Sequence, residues 1–195
     1  MTADAIKKLR DRTNAGIVAC KKALQESGGD IDKAVEVLRK QGAALASKKI
    51  GRAAKEGRIE SYIHLGGKIG VLVEINCESD FVARNDDFKT FVRDVAMQVA
   101  ASNPMYVRKE DVPQDAVRKE TDIIKAQLAG KPAAAADKIV EGKLAKFYED
   151  ACLMEQPFIK DQALKIKDIL TSMIAKIGEN IVIKRFVRYQ VGEET

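Results

Sequence analysis

The stretch IESYIHLGGKIGVLVEI, residues 59–75, alternates with a period of two. Ile59, Ser61, Ile63 and Leu65 fall on one side, with Glu60, Tyr62 and His64 on the other. After Gly66-Gly67 the alternation resumes with Ile69, Val71, Val73 and Ile75. Successive side chains of a strand point to opposite faces, so this pattern predicts two strands of a hairpin. Gly-Gly reads as a two-residue turn, because both positions accept positive φ. One apolar face of the pair then needs a cover.

A helix starting near Asn85 or Asp86 supplies that cover. Phe88, Phe91, Val92, Val95 and Val99 share one stripe, Asp86 and Asp87 sit in the first turn, and Asn103-Pro104 ends it. Further helices are expected over residues 114–129, stopped by Gly130, and over about 134–149 after Pro132. Leu153 to Ile159, interrupted by Pro157, reads as an extended connection or edge strand. A last helix is expected over about 163–177 with Gly178 as its stop, and Ile181 to Val191 reads as a third strand able to join the hairpin antiparallel.

Upstream the period is helical. Ile6 and Leu9 mark a first helix that stops in the turn from Thr13 to Gly16. Val18, Ala23 and Leu24 belong to a second, closed by Gly28-Gly29. Asp30 is an N-cap for a third, whose apolar face is Ile31, Ala34, Val35 and Leu38. The expected organisation is a three-helix module over residues 1–45, a linker over 46–56, and a domain over 57–195. The fold class is α+β: a helical module followed by a small antiparallel sheet covered by helices.

The chain has 195 residues, enough to bury a real core, and its 46% hydrophobic content argues against wholesale disorder. No apolar run approaches a membrane span and no signal-peptide pattern opens the sequence, so a cytoplasmic protein is expected. Residues 1–56 carry 13 basic and 7 acidic side chains, net +6, whereas residues 57–195 carry 21 and 22, net −1. Such a basic front module steers toward nucleic acid or toward an acidic protein surface, and charge alone does not choose.

Catalytic signals are weak. Cys20, Cys77 and Cys152 lie far apart without metal-ligand spacing, and the single histidine, His64, excludes zinc sites needing several imidazoles. Asp86 and Asp87 are adjacent and cannot share a helix face. Neither glycine pair opens a helix after a strand, as a phosphate-binding loop would require. Lys21-Lys22 and Lys48-Lys49 read as solvated basic patches or as interface steering, and no stacking aromatics interleave with them for nucleic-acid readout. The most informative segment is the corner CESDFVAR, Cys77 to Arg84, leaving a strand and entering a helix. Asp80 is a candidate cap there. Phe81 and Val82 either join the core, or Phe81 stands out as a preordered aromatic wedge. The residues favour a binding protein over an enzyme.

Three segments carry a family resemblance. TNAGIVACKKAL (Thr13 to Leu24) with its Gly-Gly-Asp turn, CESDFVAR after VLVEIN, and IAKIGENIVIKRF (Ile174 to Phe186) together resemble the bacterial elongation factor Ts family, from about residue 3 to residue 190. The resemblance implies a guanine-nucleotide exchange factor for elongation factor Tu, with no enzyme chemistry and no cofactor. The front module would be ubiquitin-associated-like and would dock on the partner's nucleotide-binding domain. Its contact candidates are Thr13, Gly16, Val18, Lys21, Lys22 and Leu24. Phe81 would insert between helices of the GTPase, and Asp80 would help reposition the segment that holds Mg²⁺. Val82, Arg84 and Asn85 complete the set, with Arg84 and Asn85 bracing the corner or touching the partner. The chain's length is similar to the family's short class, which implies a homodimer, a two-plus-two complex, and a dimer surface near Phe186 to Tyr189. Direct nucleic-acid and membrane binding are not expected. The rival readings are an RNA-binding accessory protein, a ubiquitin-like or peptide-binding adaptor, and a small thiol enzyme or hydrolase.

Overall fold

The computed structural model describes residues 2–13, 15–128 and 133–193. Asn14, Gly130 and Pro132, which the sequence reading assigned to a turn, a stop and a helix start, lie outside them. The N-terminal helices are α1 (Ala3–Thr13), α2 (Ile17–Glu26) and α3 (Ile31–Lys49). Asp30 caps α3 as expected, its carboxylate accepting from Lys33 N at 3.0 Å. Gly28 and Gly29 close α2 at φ 64° and 89°, and Gly29 N–H donates back to Leu24 O at 2.8 Å. Leu9, Cys20, Ala23, Leu24 and Ala34 are buried together, with Ile6, Ile31, Val35 and Leu38 around them. Burying Leu9 and Leu24 contributes roughly 1.5–3 kcal/mol each, a small core for three helices. α3 runs on to Lys49, into the stretch read as linker.

The hairpin is β1 (Glu56–Ile63) and β2 (Ile69–Cys77). His64 N–H donates to Ile69 O at 2.9 Å, so the reversal takes Leu65 to Lys68 and is longer than the two-residue turn expected. Gly66 and Gly67 do adopt positive φ, 89° and 69°. Val71, Val73, Ile75 and Cys77 are buried in strict alternation along β2. In β1 the expected phase is reversed. Ile59 and Ile63 are exposed, as is Leu65 in the turn, while Glu60 and Tyr62 are half-buried. Ile63 lies over Gly70, where a Cβ would stand 3.1 Å from Ile63 Cδ1. Ile63 therefore shares the Gly70–Leu72 face, opposite the buried valines.

Further α-helices and strands follow or complete the sheet. These are α4 (Asp80–Arg84), α5 (Asp86–Ser102), α6 (Gln114–Ala126), α7 (Ala133–Ala151), β3 (Pro157–Phe158), β4 (Asp161–Lys165), α8 (Ile166–Ile177) and β5 (Val182–Gln190). Phe88, Phe91, Val92, Val95 and Val99 of α5 are all buried, as their stripe predicted. β3 and β4 form a separate antiparallel pair, so the last helix begins at Ile166 and not near residue 163. The main sheet has the order β1-β2-β5. Val191 N–H reaches Lys68 O at 2.9 Å, bringing the end of β5 to the start of β2 and making that pair antiparallel.

Two compact units emerge: Met1–Ile59 with Glu74–Val92 and Asp168–Ile183, and Glu60–Val73 with Arg93–Lys167 and Lys184–Thr195. In the second, Gln98 is fully buried yet satisfied, donating to Gln156 Oε1 at 3.2 Å and Pro157 O at 3.1 Å and accepting from Ile159 N at 2.9 Å. In the first, Gly57 is irreplaceable for steric reasons. Its φ is +146°, and a Cβ there would stand 2.3 Å from Ile75 O and 2.7 Å from Asn76 Cα. Gly57→Ala is expected to cost about 3 kcal/mol, from backbone strain plus overpacking. Thermal unfolding followed by circular dichroism should show Tm lowered by about 10 °C. An unchanged Tm would mean that β1 does not run this close to β2.

Candidate functional site

Strand β2 ends at Cys77 and the chain turns at once into α4, a helix of only five residues. So short a helix has no stability of its own and depends on its ends. Ser79, not Asp80, is the N-cap, its hydroxyl accepting from Val82 N at 3.5 Å. Both residue types cap well, and the chain enters the helix one residue earlier than the sequence reading placed it. At the other end Asn85 serves two helices. It closes α4, and its side-chain oxygen accepts from Asp87 N at 2.8 Å and Phe88 N at 3.3 Å to start α5.

On this frame Phe81 is 81% exposed. A phenyl ring so far out of the core contributes little to folding, and its exposure beside a rigid corner fits a contact residue better than a core one. Val82, next to it, is half-buried. Asp80 is paired within the chain: Arg84 Nη2 lies 2.8 Å from its Oδ2 across one helical turn. The pair lies on the exposed side of α4, with the Arg84 side chain largely in solvent.

The second group lies on α2. Ile17 and Val18 are 57% and 69% exposed, and Lys21 and Lys22 are exposed on the same side. Gly16 precedes them as an open N-cap. Thr13 has a structural task, its hydroxyl donating to Leu9 O at 2.7 Å at the end of α1. Leu24 is a correction. It is fully buried in the three-helix core, so it supports the patch from beneath and offers no surface to a partner. Ile17 was not singled out from the sequence, because it opens the helix at a position consistent with the inward phase of Cys20 and Leu24. Val18 carries the clearer signal, an apolar residue in the phase of Lys21, Lys22 and Gln25.

The thiol reading loses its best residue. Cys77 is fully buried, donates to Ser79 O at 3.1 Å, and is pushed up to about 11 by burial and then by Glu179. Cys152 is likewise buried and pushed up to about 11, again chiefly by burial. Neither is a thiolate near neutral pH, so neither is poised as a nucleophile. His64 is exposed, with Nδ1 3.0 Å from Tyr62 Oη. Among the described residues no group of three or more His, Cys, Asp or Glu side chains could hold a metal ion, and no helix is long and apolar enough to cross a membrane.

An exposed aromatic on a capped corner and an apolar-basic patch on α2 are features of recognition. The family description "Elongation factor TS" matches residues 2–193. The chain belongs to the elongation factor Ts family. It is 58% identical over 195 residues to elongation factor Ts of Carboxydothermus hydrogenoformans, covering 99% of this chain and 90% of the relative. It is 59% identical over 191 residues to that of Thermotoga neapolitana, covering 98% and 97%. Against that of Thermodesulfovibrio yellowstonii the identity is 56% over 194 residues, covering 99% and 97%. The match spans the module, the hairpin, the corner and β5 alike, which gives the chain a role as a translation elongation factor in protein biosynthesis.

Proposed function

We propose that the chain is the guanine-nucleotide exchange factor of elongation factor Tu and works without covalent chemistry or a cofactor of its own. The observation that carries this is Phe81, 81% exposed on a helix whose ends are pinned by Ser79 and Asn85. A preordered aromatic spends little entropy on binding and can act as a wedge between elements of a GTPase. The α2 patch supplies a second contact, with Ile17 and Val18 for apolar burial and Lys21 and Lys22 for steering toward an acidic surface. Exchange then follows from linkage. If the bound factor fits only a GTPase whose Mg²⁺ and phosphate-binding segments are displaced, GDP must weaken by the same free energy with which it expels the factor. Asp80 and Arg84 form the polar shoulder of the wedge.

A second copy of the chain is the proposed occupant of the outer sheet face, giving a homodimer and a two-plus-two complex. Ile63, Leu72, Val187, Tyr189 and Val191 are exposed there within one unit. Arg188 donates from Nε to Ala100 O of α5 at 3.3 Å, so its neighbours Val187 and Tyr189 point to the opposite, outer side. Phe186 shares the phase of Arg188 and is half-buried, so within the expected Phe186–Tyr189 region it is Val187 and Tyr189 that face outward. β5 is also an edge strand, which a partner copy would protect.

The deciding experiment is stopped-flow release of fluorescent GDP from elongation factor Tu, with excess unlabelled GDP, over a range of factor concentrations. The expected result is an acceleration that rises with factor concentration. Release at the spontaneous rate, with both proteins folded, overturns the proposal.

A further inference from the structure

The corner that carries Phe81 is held from a distant part of the chain. Gly178, at φ 83°, ends α8 and leaves Glu179 and Asn180 as the entry to β5. Glu179 Oε2 accepts from the backbone N–H of Glu78 at 3.1 Å and of Ser79 at 3.0 Å, and its Oε1 accepts from Ser79 Oγ at 2.6 Å. The favour is returned. Glu78 Oε1 accepts from Asn180 N at 2.6 Å, so each corner lends a carboxylate to the backbone of the other. Arg52 closes the arrangement, its carbonyl accepting from buried Asn180 Nδ2 at 2.8 Å and its guanidinium lying 3.6 Å from Glu78 Oε2. All of these residues belong to one compact unit.

We infer that Glu179 is a positioning residue for exchange: through Ser79 it fixes the direction in which Phe81 is presented. The inference rests on the wedge reading of Phe81 above. The route is short and continuous. Glu179 accepts the Ser79 hydroxyl proton, and the same hydroxyl caps Val82 N, the residue after Phe81. A five-residue helix cannot set its own orientation, whereas two backbone amides and a hydroxyl on one carboxylate fix three points of its entry. Charge-assisted bonds of this kind hold a geometry more tightly than neutral ones, and a wedge that wanders pays for its ordering at each encounter. Glu179 touches no partner in this scheme. It acts only through the corner.

The test is a mutant cycle read by GDP release from elongation factor Tu, using the full chain. Glu179→Ala is expected to lower the second-order exchange rate about tenfold, from lost preorganisation. In a Phe81→Ala background the same change is expected to have almost no further effect, because the residue it serves is gone. Glu179→Gln keeps a carbonyl oxygen for the two amides and should restore activity to within about threefold of wild type. Ser79→Ala, which removes the hydroxyl that joins Glu179 to Val82 N and so takes away the cap of α4 with the link, should reproduce part of the loss and covers the case in which Glu179→Ala does not fold. A merely structural role would move Tm and would add its loss to that of Phe81→Ala. Wild-type exchange by both Glu179→Ala and Ser79→Ala, or a fully additive loss in the double variant, overturns the inference while leaving the wedge standing. Wild-type exchange by Phe81→Ala overturns both.

Discussion

Replacing Phe81 by alanine is expected to lower the second-order rate of GDP release from elongation factor Tu by about 30-fold or more, the effect of losing an interface anchor worth about 2 kcal/mol. Stability should hardly change. The ring is 81% exposed, so truncation opens no cavity, and exposed substitutions usually stay within about 0.5 kcal/mol. Tm should therefore stay within about 2 °C of wild type. That split between function and folding is what distinguishes a wedge from a core aromatic. Val82, next in sequence and half-buried, is the natural contrast, since Val82→Ala removes packing and should lower Tm instead. Stopped-flow release and thermal unfolding on the same two variants check this. If Phe81→Ala exchanges at the wild-type rate, the wedge is wrong and the α2 patch becomes the main contact.

How much of this was legible in the sequence depends on the range of the interaction concerned. Local signals read correctly: Asp30 as a cap, Gly28-Gly29 as a stop, the α5 stripe from Phe88 to Val99, and the alternation of β2. Period two in β1 was legible too, but not which phase faces inward. Alternation separates two faces, and only tertiary packing selects one. Here the half-buried phase holds Glu60 and Tyr62, while Ile59 and Ile63 face out. β3 falls inside the stretch read as an extended connection or edge strand, whereas β4 and its pairing with β3 were not legible, because a strand of five residues running straight into a helix carries little pattern of its own. The hold of Glu179 on Ser79 spans 100 residues and leaves no local trace. The corner was readable as a place. Its support was not.

The double variant Leu72→Asp, Tyr189→Asp is expected to convert a dimer into a monomer, weakening self-association about 100-fold or more. Both residues lie on the outer sheet face and are 47% and 69% exposed, so each protomer should keep its fold and its circular dichroism spectrum. An interface about a two-fold axis uses the same patch twice, so the two substitutions place four carboxylates in one contact. Taking even one unpaired carboxylate out of water costs several kcal/mol, and each 1.4 kcal/mol is a factor of ten in affinity, which makes about 100-fold a low figure. The same charge on the other side of β5 should act differently. Phe186 is half-buried in the phase of Arg188, so Phe186→Asp is expected to lower Tm before it affects association. Sedimentation equilibrium on the wild type and both variants separates these cases. A wild type that remains monomeric at about 100 μM, a concentration at which even weak self-association is measurable, removes the dimer. A double variant that still sediments as a dimer moves the contact off this face, and the exposed apolar row from Ile63 to Val191 then needs another partner.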